Sequence, residues 1–334
     1  MTTTYGSISH RTGVYVMKGT LAVAKDHNLL GKVAQNYTIP KGGSDTAKWR
    51  RYEKLALPDA PLVEGITPVA IPITKTDIQQ AMQEWGSYVE ISNKVRDNVD
   101  DDVLNGEAIP LLGMQSAKTI DMRRFGVFKA GNTVFYSNGA ARTDVNTAVA
   151  VDDFHKIARW FMAVGGDPIT TMVEAGNKIN TVSVMPAYRC YVHPDCVYDL
   201  EKMTGFTKVK DYASQKDVQP TEFGSFGQFR FEWSTNIEPT EDGGGAKGTT
   251  KSTTGTYSDV YPILIVAQNA WGVVGLGGPN AIQTFVHLPG SAGTADPLNQ
   301  RATAGWRGMW SAKIIQELWC ARLEVAVTAD ASIT

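Results

Sequence analysis

Hydrophobic positions in the first forty residues keep neither a helical nor an alternating period, and the stretch closes on Ile39-Pro40-Lys41-Gly42-Gly43. That predicts an extended arm, ordered only against a neighbour's surface. From Thr46 the pattern alternates through Trp49, Arg51, Leu55 and Leu57, breaks at Pro58, Pro61 and Gly65, and resumes through Val69, Ile71 and Ile73. A two-stranded ribbon follows, confined to edge positions by Pro68 and Pro72. At roughly 14 residues a side it would reach ~45 Å. An isolated ribbon is marginal in water, so it must lie on another surface.

Thr76-Asp77-Ile78-Gln79 fits a capping box, and Ile78, Met82 and Trp85 recur at helical spacing. Tyr88, Val89 and Ile91 read instead as strand, which leaves this segment open between the two. Ser92 is placed to cap a helix with Val95, Val99 and Val103 on one stripe, and Asp97, Asp100, Asp101 and Asp102 near its positive end. Gly106 and Pro110 interrupt it. A second helical stretch from Leu111 to Val127 stops at Ala130-Gly131-Asn132, giving a broken helix of roughly 35 residues at ~1.5 Å rise each.

The clearest helix is Val151 to Val164, with Phe154, Ile157, Ala158, Phe161 and Met162 on one face and Gly165-Gly166 at its end. Val182 to Val184 and Arg189 to Val192 read as strand, His193-Pro194 as a turn, and Cys196 to Met203 as a short helix. Glu222 to Trp233 alternates as one bent strand relieved by Gly224 and Gly227. Glu238 to Tyr257, rich in Gly and Thr, reads as a mobile surface loop. The last third is β-rich: Ile263 to Val266, Gly272 to Leu276, Ile282 to His287, and Trp306 to Val327. The order is α+β, with no internal repeat.

Composition narrows the function. The 334 residues carry 32 Lys+Arg against 34 Asp+Glu, a net charge of -2, too balanced for a protein that grips nucleic acid through a basic face. Charged residues make up only 20%, below the roughly 25% of an average domain, so much of the surface is expected to be covered. Three cysteines, Cys190, Cys196 and Cys320, are too few and odd in number for a disulfide scaffold, and reduced thiols are expected. The N-terminal residues lack the pattern of a signal peptide, and Tyr261 to Gly278 reads as strand–turn–strand rather than a membrane span. Neither secretion nor a membrane partner is expected.

No candidate chemistry survives inspection of its spacing. Cys190-x-x-His193-x-x-Cys196 offers soft ligands, but a structural zinc site pairs two such clusters and the second is missing. His193-Pro194-Asp195 reads better as a strand-to-helix turn. GGGAKGTT from Gly243 lacks the lysine that a phosphate loop places after its second glycine. Gly275-Leu276-Gly277-Gly278 runs into Pro279 with no helix behind it. Asp97 to Asp102 lacks the glycine and terminal glutamate of a calcium loop. His10, His27, His155, His193 and His287 show no triad spacing. No catalytic residue, metal or cofactor is implied. Eight tryptophans, low charge, a ribbon and an arm suit a chain that buries itself against its own copies. The tryptophans also fit an ordinary core, the better reading for Trp160 and the harder one for Trp49.

In order along the chain stand Gln83-Glu84-Trp85-Gly86-Ser87-Tyr88-Val89, Ala130-Gly131-Asn132-Thr133-Val134-Phe135-Tyr136, Tyr191-Val192-His193-Pro194-Asp195, Asn269-Ala270-Trp271-Gly272 and Asp296-Pro297-Leu298-Asn299-Gln300-Arg301 before Gly305-Trp306. With the arm, ribbon and long helix, this succession resembles the major capsid proteins of tailed bacteriophages of the Hong Kong 97-type fold, and more narrowly the podophage coat-protein branch.

The resemblance implies an N-terminal arm (1–45), an extended β-ribbon loop (46–75), a peripheral domain with a spine helix (76–191, the helix about Ser92 to Val127), an axial domain (192–276) and a return to the peripheral domain (277–334). It implies self-assembly through hexamers and pentamers into an icosahedral shell around double-stranded DNA. A separate scaffolding protein, a portal and decoration proteins are the further partners, in the virion and during assembly in the host cytoplasm. Relatives that crosslink covalently use a ribbon lysine; Lys48 and Lys54 lie there, and no crosslink is assumed. Expected inter-subunit contacts are Trp49, Arg50, Arg51, Glu53 and Lys54 on the ribbon, with Asp296 and Arg301 as partners. An encapsulin-like shell around enzyme cargo shares the implied fold. A monomeric ligand-binding β-rich protein is the third reading.

Overall fold

The computed structural model describes residues 29–40, 42–59, 61, 62, 64, 65, 67, 69–92, 108–174, 180–212, 218–277, 282–291 and 297–329. Its strands form two large sheets and a separate hairpin.

The first sheet is organised by β14, Arg301–Ile314, a fourteen-residue strand. One edge of β14 pairs along its first ten residues with β4, Gln83–Ser92. The other edge pairs in succession with β13, Ile282–His287, and β12, Trp271–Leu276. β1, Gln35–Ile39, closes the sheet by running parallel to β12. Period-2 patterning places Ala302, Ala304, Trp306 and Trp310 of β14 on the inner face. There they pack with Ile91, Ile282 and the helix α1, Ile109–Lys129. Trp306 Nε1 donates to Gln115 Oε1 at 3.2 Å, so the indole is buried with its polar atom paired.

The second sheet holds, in spatial order, β5 (Val134–Tyr136), β15 (Cys320–Val325), β11 (Tyr261–Val266), β7 (Asn180–Val192), β10 (Phe229–Trp233), β9 (Glu222–Phe226) and β8 (Thr207–Lys208), with β6 (Ile169–Glu174) also on β7. Across it lies α2, Val151–Val164, as the apolar stripe requires. Phe154 sits among Phe226, Phe229 and Phe231, with ring centroids 5.2–6.0 Å apart. Asp153 Oδ2 accepts from the Ala150 N–H at 3.1 Å at the start of α2, and left-handed Gly165 ends it. Cys190 and Cys196 are inside the same core and Cys320 inside the neighbouring one; burial pushes all three thiols up. His193-Pro194-Asp195 is the expected turn into α3, Val197–Glu201, with the Asp195 N–H donating to His193 Nδ1.

Charges are also buried in this sheet. Arg189 on β7 lies fully inside and bridges Glu222 of β9 at 3.0 Å and Glu232 of β10 at 3.3 Å. On α1, buried Asp121 accepts from Asn236 Nδ2 at 3.2 Å, and desolvation pushes its carboxyl up to about 6. Burial likewise brings the neighbouring Arg124 guanidinium down to about 10.

Several expectations are corrected. Residues 76–85 form no helix: Lys75–Ala81 is β3, paired with β2 (Thr46–Tyr52), and β4 follows at once. Seven partners in β2 and ten in β14 satisfy this backbone, which overrides a short helical period. The ribbon is therefore shorter and shifted, because its second strand lies at 75–81 rather than at 69–73. Pro58, Pro61 and Pro72 lie in the unpaired stretch between the strands, where missing N–H donors cannot serve a ladder. Pro110 starts α1 instead of interrupting it, since the first turn needs no donor there. The expected helix from Ser92 to Val103 falls outside the described residues, save Ser92, which ends β4. Within the stretch read as the arm, Leu29, Leu30, Val33 and Ala34 lie in a core of this subunit, and Trp271 Nε1 donates to Leu30 O at 3.2 Å.

Two further expectations change. Glu222 to Trp233 is a hairpin turning at Gly227, φ 55°, not one bent strand. The 238–257 loop is stitched in place rather than loose. Buried Asp259 accepts from the N–H groups of Asp242 (2.8 Å) and Thr253 (3.1 Å) and from Thr253 Oγ1 (3.0 Å). The glycine run serves close passage: a Cβ on Gly244 would lie 2.2 Å from Val145 O.

Candidate inter-subunit surface

Alternation along β2 splits the ribbon residues between two faces. Ala47, Trp49 and Arg51 turn toward the body; Lys48 and Arg50 turn away. Trp49 is 7% exposed, packed with Met82 and Val274 and edge-on to Tyr37 at 6.4 Å. Gly272 of β12 leaves it room, since a Cβ there would lie 3.0 Å from Trp49 Nε1. The tryptophan expected to face a neighbour thus roots the hairpin in its own subunit.

Arg51 serves the same end. Its guanidinium donates to Ile315 O at 3.4 Å and to Gln316 Oε1, both just beyond β14, and pairs with Glu53 at 3.0 Å. Glu53 also accepts from Thr76 Oγ1 at 2.8 Å, and that bond, with Arg51 beside it, holds its carboxyl below the usual range. On the outer face Asp77 lies between Lys48 and Arg50, each 2.9 Å away; the hydrogen bonds from Lys48 and then Arg50 lower its carboxyl to about 2. The Lys54 ammonium lies 3.7 Å from where a Cβ on Gly165 would stand, at the negative end of α2. These residues fix how the hairpin leaves the body.

Beyond Lys54 the chain stands off. Leu55, Leu57, Leu62, Val69, Ile71 and Ile73 are all exposed, Leu57 at 84% and Val69 at 93%. Six large apolar side chains in water within one short segment mark an interaction surface rather than scattered exposure. The sequence reading named the charged residues beside this stretch. The signal for the apolar ones was their interleaving with proline, which prevents the segment from pairing on itself.

Arg301, at the start of β14, approaches Glu90 of β4 at 3.6 Å, a cross-strand pair on the exposed face. Asp296, the other residue expected to meet the ribbon, lies outside the described residues. Asp77, Gln316 and Glu90 are the partners that sequence reasoning missed. Asp77 was read as part of a helix cap, and the other two are brought near only by the folded sheet.

A model of the phage capsid protein family matches residues 75–321, from the start of β3 to the first two residues of β15. The chain belongs to the phage capsid protein family. The capsid subunit also resembles solved structures from end to end. The capsid of Ralstonia phage GP4 shares 11% identity at a TM-score of 0.67, covering 93% of this chain and 92% of that one. The head structure of Helicobacter pylori bacteriophage KHP40 shares 10% at 0.62, covering 87% and 86%. The capsid of cyanophage P-SCSP1u shares 14% at 0.59, covering 91% and 90%. At such identities the likeness is one of fold. No curated protein matches the chain by sequence. Family and fold together make this a major capsid protein, a structural subunit of a phage shell.

Proposed function

We propose that the subunit closes, through hexamers and pentamers of itself, into an icosahedral shell around double-stranded DNA, with the Hong Kong 97-type division of labour. The observation that carries this is the exposed apolar segment at 55–73 on a hairpin rooted by Trp49 and Arg51. A rigid root with an unsatisfied apolar tip suits a loop laid over a neighbouring copy. In this reading residues 46–75 are the extended loop. The sheet of β14 with α1 is the peripheral domain and the sheet carrying α2 is the axial one.

Contacts repeated in a closed symmetric array gain strength from number, so each can be of ordinary size, ~1,600 Å². Near-neutral charge suits a wall that neither binds packed DNA nor repels it strongly. The role is mechanical rather than catalytic. A separate scaffolding protein and a portal are the partners the reading requires, with assembly in the host cytoplasm.

Light scattering of the purified chain, with negative-stain microscopy of the same fraction, tests the proposal. Uniform hollow megadalton particles, or rings of five and six that close when scaffold is added, are expected. A chain that stays monomeric with scaffold present refutes it, and particles filled with protein cargo in place of nuclease-protected DNA refute the genome container.

A further inference from the structure

Separate parts of the chain meet at the Asp121 carboxyl, which α1 carries fully inside the subunit. Asn236, beyond β10 of the second sheet, donates to it at 3.2 Å, and the N–H groups of Leu29 and Leu30 are directed at it. The ionisable groups that face it are Arg124 of α1 and Tyr191 of β7. Burial brings Arg124 down only to about 10 and pushes Tyr191 up, so neither changes charge between pH 4 and 7.

The segment that lies on this carboxyl is lightly held elsewhere. Leu29 and Leu30 pack with Phe125 and Phe128 of α1. Leu30 O accepts from Trp271 Nε1 at 3.2 Å, and Lys32 Nζ donates to Gln219 Oε1 at 3.1 Å. The chain then runs on as β1, which pairs with β12 alone among the described strands. A strand bonded on one edge can lift away as a unit. Tyr37 of β1 meets Trp49 edge-on at 6.4 Å, and Ile39 packs on the same cluster, so lifting would also strip one side from the hairpin root.

We propose that residues 29–39 are a latch keyed by the proton on Asp121. Neutral, the carboxyl keeps the segment shut against α1; ionised, it favours lifting, which lets water reach the carboxylate and slackens the hairpin. The sign follows from linkage. Docked, the carboxyl sits at about 6 because burial outweighs its donors; lifted, it returns toward the ordinary ~4. The docked form therefore holds the proton more tightly, and acid tightens the latch. Glu232 is the competing key. Burial raises it too, but Lys32 on the segment favours its ionised form, so protonating Glu232 would loosen the latch instead. The device acts within one subunit and stands whether or not the shell forms.

Hydrogen exchange of the free, full-length chain tests this, read at each pH as protection relative to an unstructured peptide. Protection of residues 30–39 should be at least about tenfold, and up to about a hundredfold, greater at pH 4 than at pH 7. Amides of residues 46–52 should follow in the same direction, and those of β11 and β15 should not. Asp121→Asn, neutral throughout, should hold the segment at its pH 4 level at every pH, and Glu232→Gln should keep the response. A flat wild-type profile, or a response that survives Asp121→Asn, overturns the proposal. So does a response shared equally by β11 and β15, which marks global unfolding, and hairpin amides that ignore the change overturn the link to the root. If Asp121→Asn does not fold, the wild-type amide proton resonances of Leu29 and Leu30 decide. They should titrate with a midpoint of about 6, and a midpoint at the ordinary ~4 overturns the key.

Discussion

Removing the Trp49 side chain should free the hairpin without unfolding the body. Its cluster with Ala47, Met82 and Val274 is distinct from the three larger cores, so its loss is felt where the hairpin meets β12. A tryptophan buries roughly 150–250 Å², which at ~25 cal/mol per Å² is ~4–6 kcal/mol, and measured truncations of core Trp run ~3–5. Taking ~4 kcal/mol for Trp49→Ala, the local opening equilibrium rises by a factor of ~10³ at ~1.4 kcal/mol per tenfold. Native-state hydrogen exchange, read peptide by peptide on the free subunit, measures this directly. Amides of residues 46–52 and 75–81 should exchange about a thousandfold faster, while those of β7, β11 and β15 keep their rates. Gly272→Ala, whose Cβ would press on the indole, should shift the same peptides in the same direction. If the hairpin amides are unmoved, or every amide in the chain speeds up together, the hairpin is not an independent unit rooted by Trp49.

Three further outcomes follow from the charges. Arg189→Met leaves Glu222 and Glu232 buried without their cation and should cost ~3–5 kcal/mol in chemical denaturation; adding Glu222→Gln and Glu232→Gln should recover most of it. Asp121 is raised in the folded chain, so the fold holds its proton more tightly than the unfolded chain does. Its contribution is most favourable below about pH 4 and is lost as pH rises to about 6, by ~3 kcal/mol. Asp121→Asn should lack that slope, so the difference in stability between wild type and variant, from urea curves, should change by ~3 kcal/mol between pH 4 and 6, and parallel pH dependences would contradict it. Arg50→Glu, next to Asp77 on the exposed face, should give a subunit of normal circular dichroism whose particle yield falls in light scattering; full yield would take Arg50 out of the contact set.

Legibility from the sequence tracked how locally each element is determined. α2 was readable to the residue because its stripe, its acidic first turn and its glycine stop all lie within the segment. The β-rich last third was readable as strand, but the run read from Trp306 to Val327 is two strands, Arg301–Ile314 and Cys320–Val325, divided by a turn at Glu317–Trp319. Residues 76–85 were not readable, because Ile78, Met82 and Trp85 satisfy a helical period while the backbone is claimed by strands far along the chain; Tyr88 to Ile91 were read as the strand they form. The 238–257 loop looked like low complexity for a related reason. Its glycines answer to Val145 and its threonines to Asp259, neighbours that only folding supplies. On the ribbon, two of the five residues read as outward contacts turn toward the subunit's own body. Alternation tells which residues share a face but not which face meets the core, and Trp49 and Arg51 took the inner one.

The placement of β3 and β4 has a mechanical consequence. They are continuous through Met82, so a pull on the loop travels down β3 directly into β4. β4 is bonded to β14 over ten consecutive pairs, and β14 is gripped on its far edge by β12 and β13. Tension along the strand axis therefore loads the whole ladder in parallel, whereas peeling would break one bond at a time. A shell under internal pressure that hauls on its loops would strain every rung of this ladder at once. The subunit is built like a lap joint, strongest in the direction along which its neighbours would pull.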